Sequence, residues 1–158
     1  MEYLPIDDSN RQQINSFISE HWATTEMIIR GTVIDMTKMQ GIVTYNHNEI
    51  FGLVTYYIKD FVCEITSLDS LSEHKGIGTE LVNRVVAAAR MSHCKKVIAV
   101  TTNDNINAIR FYQKRDFDMA RFYHNALEVS RKMKPEIPLI GDNNIPLRHE
   151  IEFEFQLL

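Results

Sequence analysis

Between Phe61 and Thr102 the spacing of apolar residues changes twice. Phe61–Leu68 is an apolar, β-rich run. From Ile77 the apolar residues fall at Leu81, Val82, Val85, Val86 and Ala89, a stripe down one helix face. Lys96–Thr102 is again a short buried strand. A strand, a long amphipathic helix and a second strand cannot be a hairpin. The crossover brings the chain back parallel, so this segment predicts a parallel pair in the middle of a sheet.

The neighbouring elements fit around that unit. Residues 3–6 read as a short first strand. Ser9 is a candidate N-cap, with Ile14, Phe17 and Ile18 at helical spacing, so a helix is expected to about His21. Thr24–Met39 is rich in β-branched residues (Ile28, Ile29, Thr32, Val33, Ile34), which favours strand. Gly41–Tyr45 and Ile50–Lys59 are strands across the turn Asn46-His47-Asn48-Glu49, and Lys59-Asp60 begins a second turn into Phe61–Leu68. Three strands joined by tight turns make an antiparallel meander. After Thr102 a helix is expected over Asn105–Arg115 and a strand over Phe117–Tyr123. Pro135, Pro138, Pro146 and Gly141-Asp142-Asn143-Asn144 make Lys134–Leu147 an extended connection. It leads to His149–Leu158, where Ile151, Phe153, Phe155 and Leu157 alternate with Glu150, Glu152, Glu154 and Gln156, the pattern of a half-buried strand.

The chain has 158 residues, 44% hydrophobic and 24% charged, the size and make-up of one globular domain spanning 1–158. A net charge of -4 without any long Lys/Arg block argues against nucleic acid, and an acidic surface tolerates a cationic substrate. No apolar run has the length to span a bilayer, and the first residues lack a signal-peptide pattern. The two cysteines, Cys63 and Cys94, form no CxxC pair and read as reduced thiols, which points to a cytoplasmic protein. No His–carboxylate spacing predicts a metal site.

The segment Glu73-His74-Lys75-Gly76-Ile77-Gly78-Thr79 joins a strand to the long helix. Two glycines there allow a sharp turn and leave several N–H groups facing one way. The first helical turn adds its own unpaired N–H groups and the positive end of the dipole. The combination suits a pyrophosphate, although Gly-x-Gly alone also fits a plain strand-to-helix turn. It is not a P-loop, which requires GxxxxGK[ST]. Nor is it a dinucleotide fingerprint: Leu81 is too bulky for the third small position, and the next strand ends in Val100-Thr101-Thr102 without an acid. A second group follows the strand Lys96–Thr102. Asn105, Ala108 and Tyr112 share one helix face. Asn105 either caps the helix or offers its amide to a ligand, and Tyr112 either fills the core or offers a phenol.

Together these segments resemble the GNAT (Gcn5-related N-acetyltransferase) superfamily. Glu73-His74-Lys75-Gly76-Ile77-Gly78 matches that family's Gln/Arg-x-x-Gly-x-Gly/Ala motif except at its first position. Asn105, Ala108, Phe111 and Tyr112 match its Asn-x-x-Ala-x-x-Phe-Tyr pattern. The likeness is strongest from Gly41 to Tyr123. It implies an α/β (α+β) fold, with a mixed sheet of about six or seven strands flanked by about four helices, an antiparallel N-terminal meander and a central parallel pair. It also implies acyl-CoA in a wedge where Phe61–Leu68 splays from Lys96–Thr102. The backbone of Leu68 and Ser70 would pair with pantetheine. The amides of His74, Lys75, Gly76, Ile77, Gly78 and Thr79 would hold the pyrophosphate, and Asn105 would bond pantetheine. The sequence departs from the family at Glu73, an acid where Gln or Arg is usual, and at Asp116, where many members have Gly.

The activity so implied is transfer of an acetyl group from acetyl-CoA to a primary amine of a small molecule, peptide or protein, by direct attack in a ternary complex. Tyr112 would be the general acid for the leaving thiolate: a phenol near pKa ~10 and a thiol near ~8.5 are close enough for proton transfer. Glu64 is the first candidate for the base, since alternation places Glu64, Thr66 and Leu68 on one face, opposite Cys63 and Ile65. His124 and His149 are substitutes. The alternative is a non-catalytic acyl-CoA-binding or sensing module on the same fold. Thr24–Met39 and Asn125–Leu147, where the motifs are silent, are expected to set the acceptor. Arg131, Lys132 and Lys134 could attract an acidic acceptor, but read first as a solvated helix face. The chain is expected to be a monomer or homodimer.

Overall fold

In the computed structural model, residues 1–71 and 75–158 are described. They form β1 (Glu2–Pro5), α1 (Arg11–Trp22), β2 (Glu26–Ile29), β3 (Thr32–Asp35), β4 (Gln40–Asn46), β5 (Glu49–Lys59) and β6 (Val62–Ser70). Then come α2 (Ile77–Met91), β7 (Lys96–Thr102), α3 (Ile106–Lys114), β8 (Asp118–Tyr123), α4 (Ala126–Met133) and β9 (Glu150–Gln156). Among the described residues this is a mixed sheet of seven strands with one parallel pair and four helices, beside the two-stranded ribbon β2–β3. The chain packs as two compact units. One holds Met1–Met27, Ile34–Val97 and Leu157–Leu158, and the other Ile28–Val33 and Ile98–Gln156.

In the first unit the strand order runs β1-β4-β5-β6 into the start of β7. The expected meander is present. β4 and β5 turn at His47-Asn48, and β5 and β6 at Asp60-Phe61, with positive φ at all four residues. Paired left-handed residues twist a two-residue loop to match its strands, so Phe61 belongs to the turn, one residue before the strand begins. Helix α1 starts after Asn10, because the Ser9 hydroxyl is spent on Asp7 Oδ1 and caps nothing. Ile14 and Ile18 of α1 pack on Val43, Ile50 and Leu53, all buried. On the opposite face Gly52 lets α2 approach: a Cβ there would stand 2.7 Å from Ile77 Cγ2 and 3.1 Å from Leu81 Cδ1.

The segment 24–39, read as strand-forming, is the ribbon β2–β3 closed by Arg30-Gly31, both at positive φ, with a 3-10 turn at Met36–Lys38. The second unit orders its strands β7-β9-β8. Phe153 is fully buried and stacks on Tyr112 at 5.6 Å between ring centres. The half-buried reading of the last strand fails on its glutamate side. Glu150 and Glu152 are each 4% exposed, because β9 lies inside the strand order and its acids are matched by cations and a phenol. The Arg30 guanidinium and Arg121 bond Glu152 at 3.4 and 3.3 Å, Tyr123 donates to it at 2.9 Å, and the Arg30 N–H donates to Glu150 at 3.0 Å. Asp116, where the family favours Gly, adopts φ 66, so the left-handed turn is kept with an aspartate.

Filling the notch at Gly52 tests the packing of α2. Gly52→Val is expected to lower stability by about 1–3 kcal/mol through overpacking, read as a lower urea midpoint with an unchanged m-value.

Candidate active site

The expected cofactor turn divides at Gly76. This residue is the left-handed N-cap of α2, at φ 73, and no side chain caps the helix. Nothing lies within 4 Å of the place its Cβ would occupy. The glycine therefore serves backbone conformation and leaves open space in front of the turn. Gly78 is already helical, so of the two glycines only Gly76 makes the turn. Inside the helix the Glu80 amide bonds the Gly76 carbonyl at 3.0 Å. Gly76 is the cap and Ile77, Gly78 and Thr79 form the first turn of the helix, where the positive end of its dipole lies. Glu73 and His74 lie outside the described residues.

β6 carries Glu64, Leu68 and Ser70. Its register on β5 pairs Glu64 with Tyr57, Ser67 with Thr55, Leu68 with Val54 and Asp69 with Leu53. Thr66 is extra, a β-bulge. The bulge corrects the simple alternation: Ser67 and Asp69 share the Glu64 face, and Leu68 faces the other way. Glu64 is 2% exposed and accepts a hydrogen bond from Tyr57 at 2.9 Å. Thr55 Oγ1 lies 2.6 Å from Ser67 Oγ and 2.8 Å from Thr66 Oγ1. Asp69 accepts from Trp22 Nε1 at 3.0 Å and lies 3.2 Å from His21 Nε2. Burial raises the Asp69 carboxyl above its usual range, while Trp22 and His21 pull it back. Sequence reasoning missed Tyr57, Asp69, His21 and Trp22, since nothing in their spacing links a helix end to a strand beyond it. Both cysteines are buried free thiols, and burial raises both, Cys63 up to about 12, which disfavours the thiolate form.

The second unit holds Asn105 and Tyr112. Asn105 caps α3: its Oδ1 accepts the Ala108 N–H at 3.1 Å. Tyr112 is buried among Phe111, Phe117 and Phe153. Burial raises its phenol above the ordinary value, making it a weaker acid than a free tyrosine and a persistent hydrogen-bond donor. Just before Asn105, two residues that sequence reasoning passed over hold the connection to β9. Asn103 Oδ1 accepts the N–H groups of Arg148 and His149 at 3.0 and 2.9 Å, and Asp104 Oδ2 accepts that of Asp142 at 2.8 Å. A Cβ on Gly141 would overlap the Asp104 carboxylate. Arg131 is not a solvated cation: its guanidinium bonds the carbonyls of Ile137, Pro138 and Leu147. His124 and His149 stack at 5.0 Å beside Phe122, and His149 Nδ1 accepts the Asn125 N–H at 2.9 Å. Among the described residues there is no group of three His, Cys, Asp or Glu fit for a metal, and no helix is long and apolar enough to cross a membrane.

The sequence profile of the Acetyltransferase (GNAT) family matches residues 8–117. The chain belongs to this family. Among curated relatives, YdhI of Bacillus subtilis (strain 168) is 42% identical over 154 residues, covering 97% of this chain and 96% of its own. A GNAT family acetyltransferase from Elizabethkingia anophelis, solved with acetyl-CoA bound, superposes with a TM-score of 0.69 at 19% identity, covering 99% of this chain and 97% of its own. A Bacillus subtilis acetyltransferase in complex with CoA superposes with a TM-score of 0.71 at 15% identity, covering 99% of each chain. At such identities the structural likeness is one of fold. The GNAT profile spans Glu64, the Gly76 turn, Asn105 and Tyr112.

Two measurements probe this geometry. Asn105→Ala is expected to cost about 1 kcal/mol through loss of the cap, and Asn105→Asp to keep most of it, by chemical denaturation. His149 is held below its ordinary value by burial, Arg148 and His124, so the folded chain binds its proton less readily than the unfolded chain. The resulting penalty is absent above about pH 6.5 and grows as pH falls through that value. Thermal melts from pH 7 to 5 are expected to show a larger loss in the wild type than in His149→Gln.

Proposed function

We propose that this chain transfers an acetyl group from acetyl-CoA to a primary amine of a small molecule, peptide or protein, in one step within a ternary complex. The observation that carries the reading is the left-handed Gly76 opening an uncapped α2, within a sequence that matches the GNAT profile. The donor is a co-substrate carrying phosphates, and a helix start without a side-chain cap suits them. In this reading the backbone from His74 through Lys75, Gly76, Ile77, Gly78 and Thr79 holds the pyrophosphate. The backbone groups of Leu68 and Ser70 and the Asn105 amide hold the pantetheine. No metal takes part.

The chemistry balances as follows. A neutral amine attacks the thioester carbonyl, a C–N bond forms and the C–S bond breaks. The amine's surplus proton passes to a base, for which Glu64 is the candidate, and the thiolate takes a proton from Tyr112, which is restored from water. The buried carboxylate of Glu64 is held by Tyr57. The raised phenol of Tyr112 stays protonated until the thiolate develops and donates its hydrogen bond there before the proton passes.

A second reading, an acyl-CoA-binding or sensing module, draws on the same facts: a weakly acidic Tyr112 and an Asn105 already serving as a cap. Release of free CoA thiol across an amine panel separates the two, since binding without release would favour the sensor. Tyr112→Phe is expected to lower turnover at least tenfold with CoA binding retained. Unchanged turnover would remove Tyr112 from the mechanism. Asn105→Asp is expected to weaken acetyl-CoA binding without unfolding α3.

A further inference from the structure

The seven-stranded sheet ends on two unlike edges. β1 has four residues, closes with Pro5 and pairs with β4, the short, proline-stopped form that resists further pairing. β8 has six residues and neither Pro nor Lys. It pairs with β9 alone, so alternate residues turn their N–H and C=O groups away from β9. Among the described residues no strand takes up those groups, and Asp118 through Phe122 are all exposed. Met119 is 53% exposed and Phe122 58%.

The register of β8 shows what this edge fits. Asp118, Arg121 and Tyr123 lie opposite Glu154, Glu152 and Glu150, while Met119 and Phe122 lie opposite Phe153 and Ile151. Side chains of β9 alternate between the two faces of the sheet. The irregularity at Ala120 therefore puts Met119 and Phe122 on one face and Asp118, Arg121 and Tyr123 on the other. Residues directly opposite in an antiparallel pair must share a face. A second copy of β8, turned about an axis between Ala120 and Arg121, meets that condition. Met119 then stands beside Phe122 of the second copy and Asp118 beside its Tyr123, each contact made twice. Sulfur against an aromatic ring is a favourable contact. The two Arg121 side chains come near the axis, but each is drawn back to its own Glu152 at 3.3 Å and has Asp118 of the second copy within diagonal reach. A parallel pair would instead set Asp118 beside Asp118 and Arg121 beside Arg121, like charges directly opposed.

We propose that β8 is the contact between two copies of this chain, joined edge to edge as antiparallel strands about a two-fold axis. An isologous pair uses both β8 edges at once and leaves neither for a third copy, so it closes an edge that carries no Pro or Lys to protect it. A strand from a different protein would need no such match of β8 with itself. The proposal is independent of the acetyl-transfer reading, and its test involves no turnover.

The mass of the intact chain is followed by sedimentation from low to high micromolar concentration, and amide hydrogen exchange over Asp118–Tyr123 is read at both ends of that range. The wild type is expected to pass from monomer to dimer, with outward-facing β8 amides exchanging at least tenfold more slowly in the dimer. Met119→Lys places a cation in the apolar stripe. It is expected to weaken dimerisation at least tenfold, while the diluted variant melts as the wild-type monomer does. Met119→Leu keeps the apolar contact and is expected to keep the dimer. A dimer whose β8 amides exchange as fast as the monomer's would overturn the proposal, and so would growth past the dimer. A chain that stays monomeric throughout would overturn it too, and would leave the edge to a different protein. Should Met119→Lys fail to fold, the two wild-type measurements decide alone.

Discussion

Two glutamates on an interior strand dictate much of the second unit. A carboxylate removed from water must find cations or hydrogen-bond donors, and leaving one unmatched costs several kcal/mol. Glu150 and Glu152 are matched by a turn far earlier in the chain, through the N–H and guanidinium of Arg30, and by Arg121 and Tyr123 on the neighbouring strand. The pairing therefore sets where the Arg30-Gly31 turn lies. The strained backbone of Arg30 persists because the N–H it presents is the one Glu150 requires. Arg121 is largely exposed on its own side, so its share of the attraction is screened by solvent, whereas Tyr123 and the Arg30 N–H act closer to the buried side.

In the first unit a single inserted residue has a comparable reach. Thr66 has no partner opposite it on β5, and the strand's alternation reverses after it. Glu64, Ser67 and Asp69 consequently stand in one row on the face that also receives α1. Each is engaged by a neighbour: Tyr57 for Glu64, Thr55 for Ser67, Trp22 and His21 for Asp69. A sheet face this polar is tolerated in a core because nearly every group on it is satisfied. The other face of β5, at Gly52, is given over to close contact with α2.

The parts visible in the sequence were those carried by a local period or a local turn. The meander, the amphipathic α2, the α3 face and the bent 134–148 connection follow from such signals. Gly76 was legible as a turn because only glycine reaches its φ without strain, while Gly78 shared the motif but not the conformation. What escaped depends on partners distant in sequence. The glutamate row of β9 looked solvent-facing because alternation cannot reveal Arg30. The bulge at Thr66 has no compositional mark, so simple alternation put Leu68 on the Glu64 face. Arg131 looked like a solvated cation because the carbonyls it holds lie on a loop without periodicity. Among the candidate site residues, the types were readable, but the cap made by Asn105 and the aromatic cluster around Tyr112 became apparent only with coordinates.

The lock at Asp104 bears on how this family member can drift. Asp104 is buried, and its carboxylate meets Asp142 where a glycine leaves no room for a Cβ at 141. The long connection is consequently anchored at its midpoint as well as its ends. Substitutions, insertions and deletions are tolerable on either side of that anchor but not across it. Lineages that share the lock should keep their length changes within the stretches flanking Gly141–Asn143, and the chain that reaches β9 should arrive in the same register whatever the rest of the loop has become.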